Sequence, residues 1–267
     1  MRIDILFVHH RACPVTRHHL HLLQEHHRPF PDVRIVPIAY REHAAEALPG
    51  TTFPRDLTRF RTNDASPGSA FAGRRPGNPY DLDCLVWDYV LGNTRPADKI
   101  ILFEWDTLCR QNVFDFYGAL LREYLVGSHL RIGSGANRRW HWYRHDRTLS
   151  ADHKRTFEGH IVSLTPTCGI MIDWDLAAAN ASTVSANPRR FANMHNELAF
   201  GLLSSLNGVL PKSLPHAKRR MISWHPALIR LSRHGIFHPV KGRSKAGVTE
   251  VAWHLLLRAM SLARAGI

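Results

Sequence analysis

Apolar residues follow two rhythms along this chain, and each predicts a different element. Arg2–His9, Val33–Tyr40, Ile100–Phe103 and Gly169–Trp174 are short, mostly unbroken apolar runs. Runs of that length rich in β-branched and aromatic residues read as strands, the first mostly buried and Ile100–Phe103 buried on both faces. Between them, apolar positions recur at helical spacing. Pro14 opens a helix through His27, with proline in the first turn where its missing N–H is harmless, and Pro29 and Pro31 end it. A second helix runs from Tyr80-Asp81 to about Leu91, with Leu82, Leu85, Val86, Tyr89 and Val90 on one face and Gly92-Asn93 closing it. The opening strand–helix–strand order is the start of a right-handed βαβ unit.

The second half is read in the same way. Asn112 is the N-cap of a helix expected to run through Leu125. Trp140–Tyr143 alternates like a strand with an aromatic face, and the Ala-rich Leu176–Ala181 follows the Gly169–Trp174 run. Asn193 or Asn196 starts a helix through Leu206 that Gly208 ends, and Ser223-Trp224 and Gly235–Val240 are short extended segments. A C-terminal helix is expected over 248–264, packing on the core, forming an oligomer contact or lying as a basic amphipathic surface on anionic membrane, with core packing preferred. Residues 41–79, rich in Gly, Pro, Ser, Thr, Asn and Arg, are too long for a plain connection and read as a mobile loop over the site or a partly disordered segment. There is no internal repeat. The expectation is one α/β domain over 1–267, an open sheet of mostly parallel strands flanked by helices.

Composition narrows the partners. The 267 residues hold 35 Lys plus Arg against 22 Asp plus Glu, a net charge of +13, and such a surface attracts phosphates and other polyanions. The basic residues are scattered among separate clusters. Cys13, Cys84, Cys109 and Cys168 form no C-x-x-C pair, so neither a zinc ribbon nor a disulfide framework is supported. Arg2 and Asp4 interrupt the N-terminal apolar run, no window reaches the roughly 20 apolar residues of a membrane span, and a cytoplasmic protein is expected.

The candidate chemistry begins where the third strand stops. Glu104 and Asp106 follow Ile100–Phe103 two residues apart, so in an extended chain both side chains point the same way. Open α/β sheets hold ligands outside the carboxyl ends of their strands. A divalent cation backed by a phosphate would offset the cost of desolvating two acids there; a pair of solvated strand-end acids is the competing reading. His238 precedes Pro239, which holds it in an extended backbone, and Lys241 lies three residues on. An imidazole, an Asp carboxylate and two diphosphate oxygens make a suitable shell for Mn²⁺ or Mg²⁺.

With Glu104-Trp105-Asp106 and Phe237-His238-Pro239-Val240-Lys241 in place, the chain resembles a GT-A-type, nucleotide-sugar-dependent glycosyltransferase. The resemblance implies that Asp106 binds metal directly, that Glu104 faces the ribose or a metal-bound water, and that His238 completes the shell. It also implies a nucleoside diphosphate sugar donor, with UDP as the nucleotide. His9 and His10 end the first strand, where such a fold meets the base, and join Tyr40, Glu104 and Trp105 as nucleotide-sugar contacts. Lys241, Arg243 and Lys245 form a basic segment able to close over the diphosphate with Gly242 as hinge, against the alternative of a solvated turn.

An inverting transfer needs a carboxylate to deprotonate the acceptor. Glu197, at the start of a predicted helix, is the first candidate, although a first-turn Glu is also a common helix-dipole partner. Asp173 is the alternative base or an acceptor contact; Trp174 and Asp175 beside it suit a sugar ring, and Asp81 and Asp83 read as helix caps. The acceptor is expected to be a saccharide, free or lipid-linked. The histidine sets 18-19-21 and 26-27 read as surface residues. The rival functions are a basic polyanion-binding protein, weakened by the lack of any nucleic-acid motif, and a metal-dependent nucleotidyltransferase.

Overall fold

The computed structural model describes residues 1–60, 81–94, 96–128, 130–132, 151–164, 166–191, 194–222 and 234–238. Strand β1 (Ile3–Val8) is buried at every position, and helix α1 (Pro14–His27) returns the chain to β2 (Val33–Ile38), parallel to β1. Helix α2 (Leu82–Gly92) then leads into β3 (Lys99–Glu104), parallel to β1 on its other side. This is the βαβ arrangement that the apolar runs predict, and it places β1 centrally, between β2 and β3.

Three further strands complete a six-stranded sheet of order β2-β1-β3-β8-β5-β9. They are β5 (Leu125–Gly127), β8 (Ile170–Asp173) and the edge strand β9 (Lys212–Ser213). Strand β8 is antiparallel to both β3 and β5, and β9 is parallel to β5, so β8 alone runs against the rest of the sheet. The fold is therefore the expected α/β type with a mostly parallel sheet. On one face pack α2, α5 (Trp174–Ala186, which follows the short α4, Ala151–Thr156) and α6 (Asn196–Leu206), around Trp87, Phe200 and Leu203. The other face carries α1 and α3 (Val113–Tyr117), around Phe7, Phe103 and Phe116.

Several local expectations change. The helix expected from Asn112 to Leu125 stops at Tyr117, because Gly118 adopts φ 58°; a single 3-10 stretch and then β5 follow. Asn112 is the N-cap all the same, its Oδ1 accepting from the Asp115 N–H at 2.9 Å. Residues 41–60, expected to belong to a mobile loop, fold onto the core in two 3-10 turns and bury Leu48, Leu57 and Phe60. Trp140–Tyr143, Ser223-Trp224, Asn193 and the expected helix over 248–264 lie outside the described residues. No described helix is long and apolar enough to cross a membrane.

One glycine is forced by close packing. Helix α6 crosses β7 (Val162–Leu164), which pairs antiparallel with β6 (Leu130–Ile132), and a Cβ at Gly201 would sit 2.1 Å from the Val162 carbonyl oxygen.

Candidate functional site

Glu104 is the last residue of β3 and pairs in register with Val8, so the chain leaves β1 and β3 side by side at their carboxyl ends. After Glu104 a turn reverses direction, closed by the Thr107 N–H donating to the Glu104 carbonyl at 2.9 Å. The chain then enters β4 (Leu108–Cys109), which pairs antiparallel with β10 (Ile236–Phe237). In that ladder Phe237 opposes Leu108, so the next residue, His238, arrives at the turn and its ring reaches Asp106.

The result is a compact group of three. His238 Nε2 lies 3.2 Å from Asp106 Oδ1 and 3.8 Å from Glu104 Oε1, and one donor atom of each residue falls within 4.8 Å of the others. Asp106 and His238 are buried, and Glu104 is partly open to solvent. Burial pushes the His238 pKa down, but the hydrogen bond to Asp106 and the charges of Glu104 and Asp106 outweigh it, and the net shift is upward. The two carboxylates thus create a field that favours positive charge at this point. Two carboxylate oxygens and an imidazole nitrogen, gathered this closely, are a donor set that fits Mn²⁺ or Mg²⁺.

The neighbouring carboxyl ends of β1 and β2 supply rings and an acceptor. The His10 ring meets the Trp105 indole edge-on at 4.9 Å and faces His43 at 6.1 Å, and Tyr40 lies 6.5 Å from His43. His9 is buried, with Nε2 2.9 Å from Thr51 Oγ1. The Thr51 hydroxyl already donates its proton to the Leu48 carbonyl at 2.7 Å, so His9 Nε2 must donate. That leaves His9 Nδ1 as a bare lone pair, with no hydrogen-bond partner among the described residues. Burial, together with His10 and His43, lowers the His9 pKa to about 4, which keeps the ring neutral.

Other predicted residues sit elsewhere. Because β8 runs antiparallel to β3, it carries Asp173 into register with Lys99, at the amino end of the sheet. Five strand steps, roughly 16 Å, separate that end of β3 from Glu104. There Asp173 pairs with Lys99 Nζ at 2.9 Å and caps α5 by accepting from the Asp175 N–H. Trp174 is buried against Tyr89, and Asp175 is exposed in the first turn of α5. Asp173, Trp174 and Asp175, expected at the acceptor, thus lie at the end of the sheet opposite Glu104, because β8 runs against β3.

Glu197 lies in the first turn of α6, whose N-cap His195 accepts from the Glu197 N–H at 3.2 Å; its carboxylate lies 4.0 Å from His195 Nδ1. Asp81 occupies the N-cap position of α2, and Asp83, in its first turn, accepts from the Trp87 indole. Lys241, Arg243 and Lys245 lie outside the described residues.

Sequence reasoning missed four groups around the acidic turn: His19, His43, Thr51 and Thr107. His19 Nδ1 lies 2.9 Å from the Trp105 carbonyl oxygen, and Thr107 Oγ1 lies 3.0 Å from Cys168 Sγ. Burial, reinforced by the Glu104 charge, pushes the Cys168 thiol well up, so it stays protonated and inert. His19 had a signal: it shares the buried face of α1 with Val15, Leu20 and Leu23.

No family profile matches this chain, and no curated protein matches it. Among solved structures it is similar to the galactosyltransferase LgtC in complex with donor and acceptor sugar analogs. That likeness has 12% identity and a TM-score of 0.45, covering 97% of this chain and 95% of that one. It is also similar to an active-site mutant of LgtC, at 12% identity and a TM-score of 0.48, over 96% of this chain and 95% of that one.

Proposed function

We propose that this chain is a metal-dependent glycosyltransferase that takes a sugar from a nucleoside diphosphate, UDP by preference, and passes it to a saccharide acceptor. The observation that carries the reading is the convergence of Glu104, Asp106 and His238 at the carboxyl end of β3. These residues would hold the cation, which supplies electrostatic stabilisation to a diphosphate as its charge builds on leaving. In the transfer the bond between the anomeric carbon and the phosphate oxygen breaks. The acceptor hydroxyl takes the anomeric carbon and gives its proton to a base.

The nucleotide end has support of its own. His9 and His10 follow directly on β1, at the carboxyl end where Val8 pairs with Glu104 and where the family resemblance expects the nucleotide. The rings of His10, Tyr40 and His43 lie together there and suit a planar base. Glu197 is proposed as the acceptor base, and Lys241 and Arg243 as diphosphate contacts, on the strength of residue type and the family resemblance.

The test is product analysis. Incubating the full chain with a panel of UDP-sugars, saccharide acceptors and Mn²⁺ is expected to release free UDP. Release of sugar 1-phosphate would instead support nucleotidyl transfer from the UDP-sugar. Salt-sensitive nucleic-acid binding that Asp106→Ala leaves unchanged, with no UDP released, would support the polyanion-binding reading.

A further inference from the structure

His19 sits in the middle of α1 and is fully buried beneath the acidic turn. Its Nδ1 is 2.9 Å from the Trp105 carbonyl oxygen. A carbonyl oxygen can only accept, so Nδ1 carries the proton and donates it. The bond therefore grips the peptide between Trp105 and Asp106, the central peptide of the turn that the Thr107 N–H closes onto the Glu104 carbonyl.

The orientation of that peptide decides where Asp106 points. Rotating the central peptide of a four-residue turn by half a revolution puts the third residue at positive φ. No described non-glycine residue has positive φ, so Asp106 keeps the ordinary orientation. His19 holds the carbonyl that would have to swing away in such a rotation. The Trp105 side chain is held separately, by the ring of His10 at 4.9 Å. Helix α1 thus fixes the backbone of the turn, while the end of β1 fixes its side chain.

We infer that His19 is a positioning residue for the metal site: its Nδ1–H locks the Trp105–Asp106 peptide so that Glu104 and Asp106 converge on His238. This rests on the reading of Glu104, Asp106 and His238 as metal ligands. Groups that orient metal ligands without touching the ion typically change affinity about 10- to 100-fold when removed. A histidine that only filled the core would affect stability without that selectivity.

The experiment is a Mn²⁺ titration of the full chain, following free Mn²⁺ by electron paramagnetic resonance, with thermal melts of the same samples. His19→Leu fills the space without a donor, whereas His19→Asn places an amide N–H close to where Nδ1 sits. Wild type is expected to bind Mn²⁺, His19→Leu to bind it about tenfold or more weakly, and His19→Asn to stay close to wild type. Equal Mn²⁺ binding by wild type and His19→Leu would overturn the positioning role. So would a loss in His19→Asn as large as that in His19→Leu. If His19→Leu does not fold, His19→Gln replaces it, since its amide reaches the Nε2 position and misses the Trp105 carbonyl; equal binding by the Gln and Asn variants then overturns the role. Failure of wild type to bind Mn²⁺ would overturn the metal-site reading itself, and the role of His19 with it.

Discussion

Ile236 pairs with Cys109 across an antiparallel ladder only two residues long, and this register sets His238 against Asp106. The site is therefore as sound as that ladder. Its backbone is tied further by the Arg110 N–H donating to the Gly235 carbonyl at 2.9 Å and the His238 N–H donating to the Met221 carbonyl at 3.2 Å.

Gly235 is where the ladder can be broken from outside the ligand set. It has φ 142°, and a Cβ there would lie 2.8 Å from Phe237 Cζ and 2.9 Å from Met221 Sδ. Gly235→Ala is expected to displace β10, lower Tm and weaken Mn²⁺ binding about tenfold through the shift of His238. Paired melting and Mn²⁺ titration of the variant check this.

Asp173 should prove structural. Removing its carboxylate leaves the Lys99 ammonium, which is mostly buried, without its ion pair, and uncaps α5. Asp173→Ala is expected to cost about 2 kcal/mol of stability by urea unfolding. At a temperature where the variant is folded, kcat for sugar transfer should match wild type; a kcat loss of 100-fold or more would restore the residue to the reaction.

His27 gives the fold a sensitivity to acid. Its Nδ1–H donates to the Leu23 carbonyl at 2.6 Å, and Nε2 accepts from the Val113 N–H at 3.0 Å, which joins the end of α1 to the start of α3. Protonation would put a hydrogen on Nε2 and turn it against that N–H. Burial lowers the His27 pKa below its usual 6.5, partly offset by the Leu23 carbonyl bond, and His26 adds a smaller downward push. His234 faces His26 in turn, and Asp115 lies in the first turn of α3. The unfolded chain takes up the proton first, so the contribution of His27 is fully present above pH 6.5 and is lost as pH falls below it. His9, lowered to about 4, acts in the same direction between pH 6.5 and 4. Tm is expected to drop by several degrees from pH 7 to pH 5. In His27→Leu, less stable at pH 7, the drop should be smaller.

Gly201→Ala tests the packing of α6 on β7. The added methyl would lie 2.1 Å from the Val162 carbonyl oxygen, so the helix must move away from the strand. Overpacking of this kind costs about 1–3 kcal/mol or more. Chemical denaturation should show that loss, even though alanine favours helix.

Much of this architecture was legible in the chain. The apolar runs gave β1, β2, β3 and β8, and the strand-end position singled out Glu104 and Asp106. The direction of β8 was not legible, because a doubly buried strand reads the same whichever way it runs, and that direction decides which edge receives Asp173. The meeting of His238 with Asp106 depends on a two-residue ladder between remote segments, which has no periodicity to detect. His19 and His27 were legible by spacing, since both lie on the apolar face of α1 with Val15 and Leu23. Their polarity argued for the surface; buried backbone carbonyls that accept their ring N–H groups are what make the interior favourable.

The most direct measurement of the proposed metal-dependent nucleotide site is calorimetry of UDP binding with and without Mn²⁺, on wild type, Asp106→Asn and His238→Ala. Wild type is expected to bind UDP tightly only with Mn²⁺ present, and both variants to lose that gain while melting cooperatively. UDP affinity in wild type that is the same with and without Mn²⁺, or a Mn²⁺ gain that survives in both variants, would contradict it.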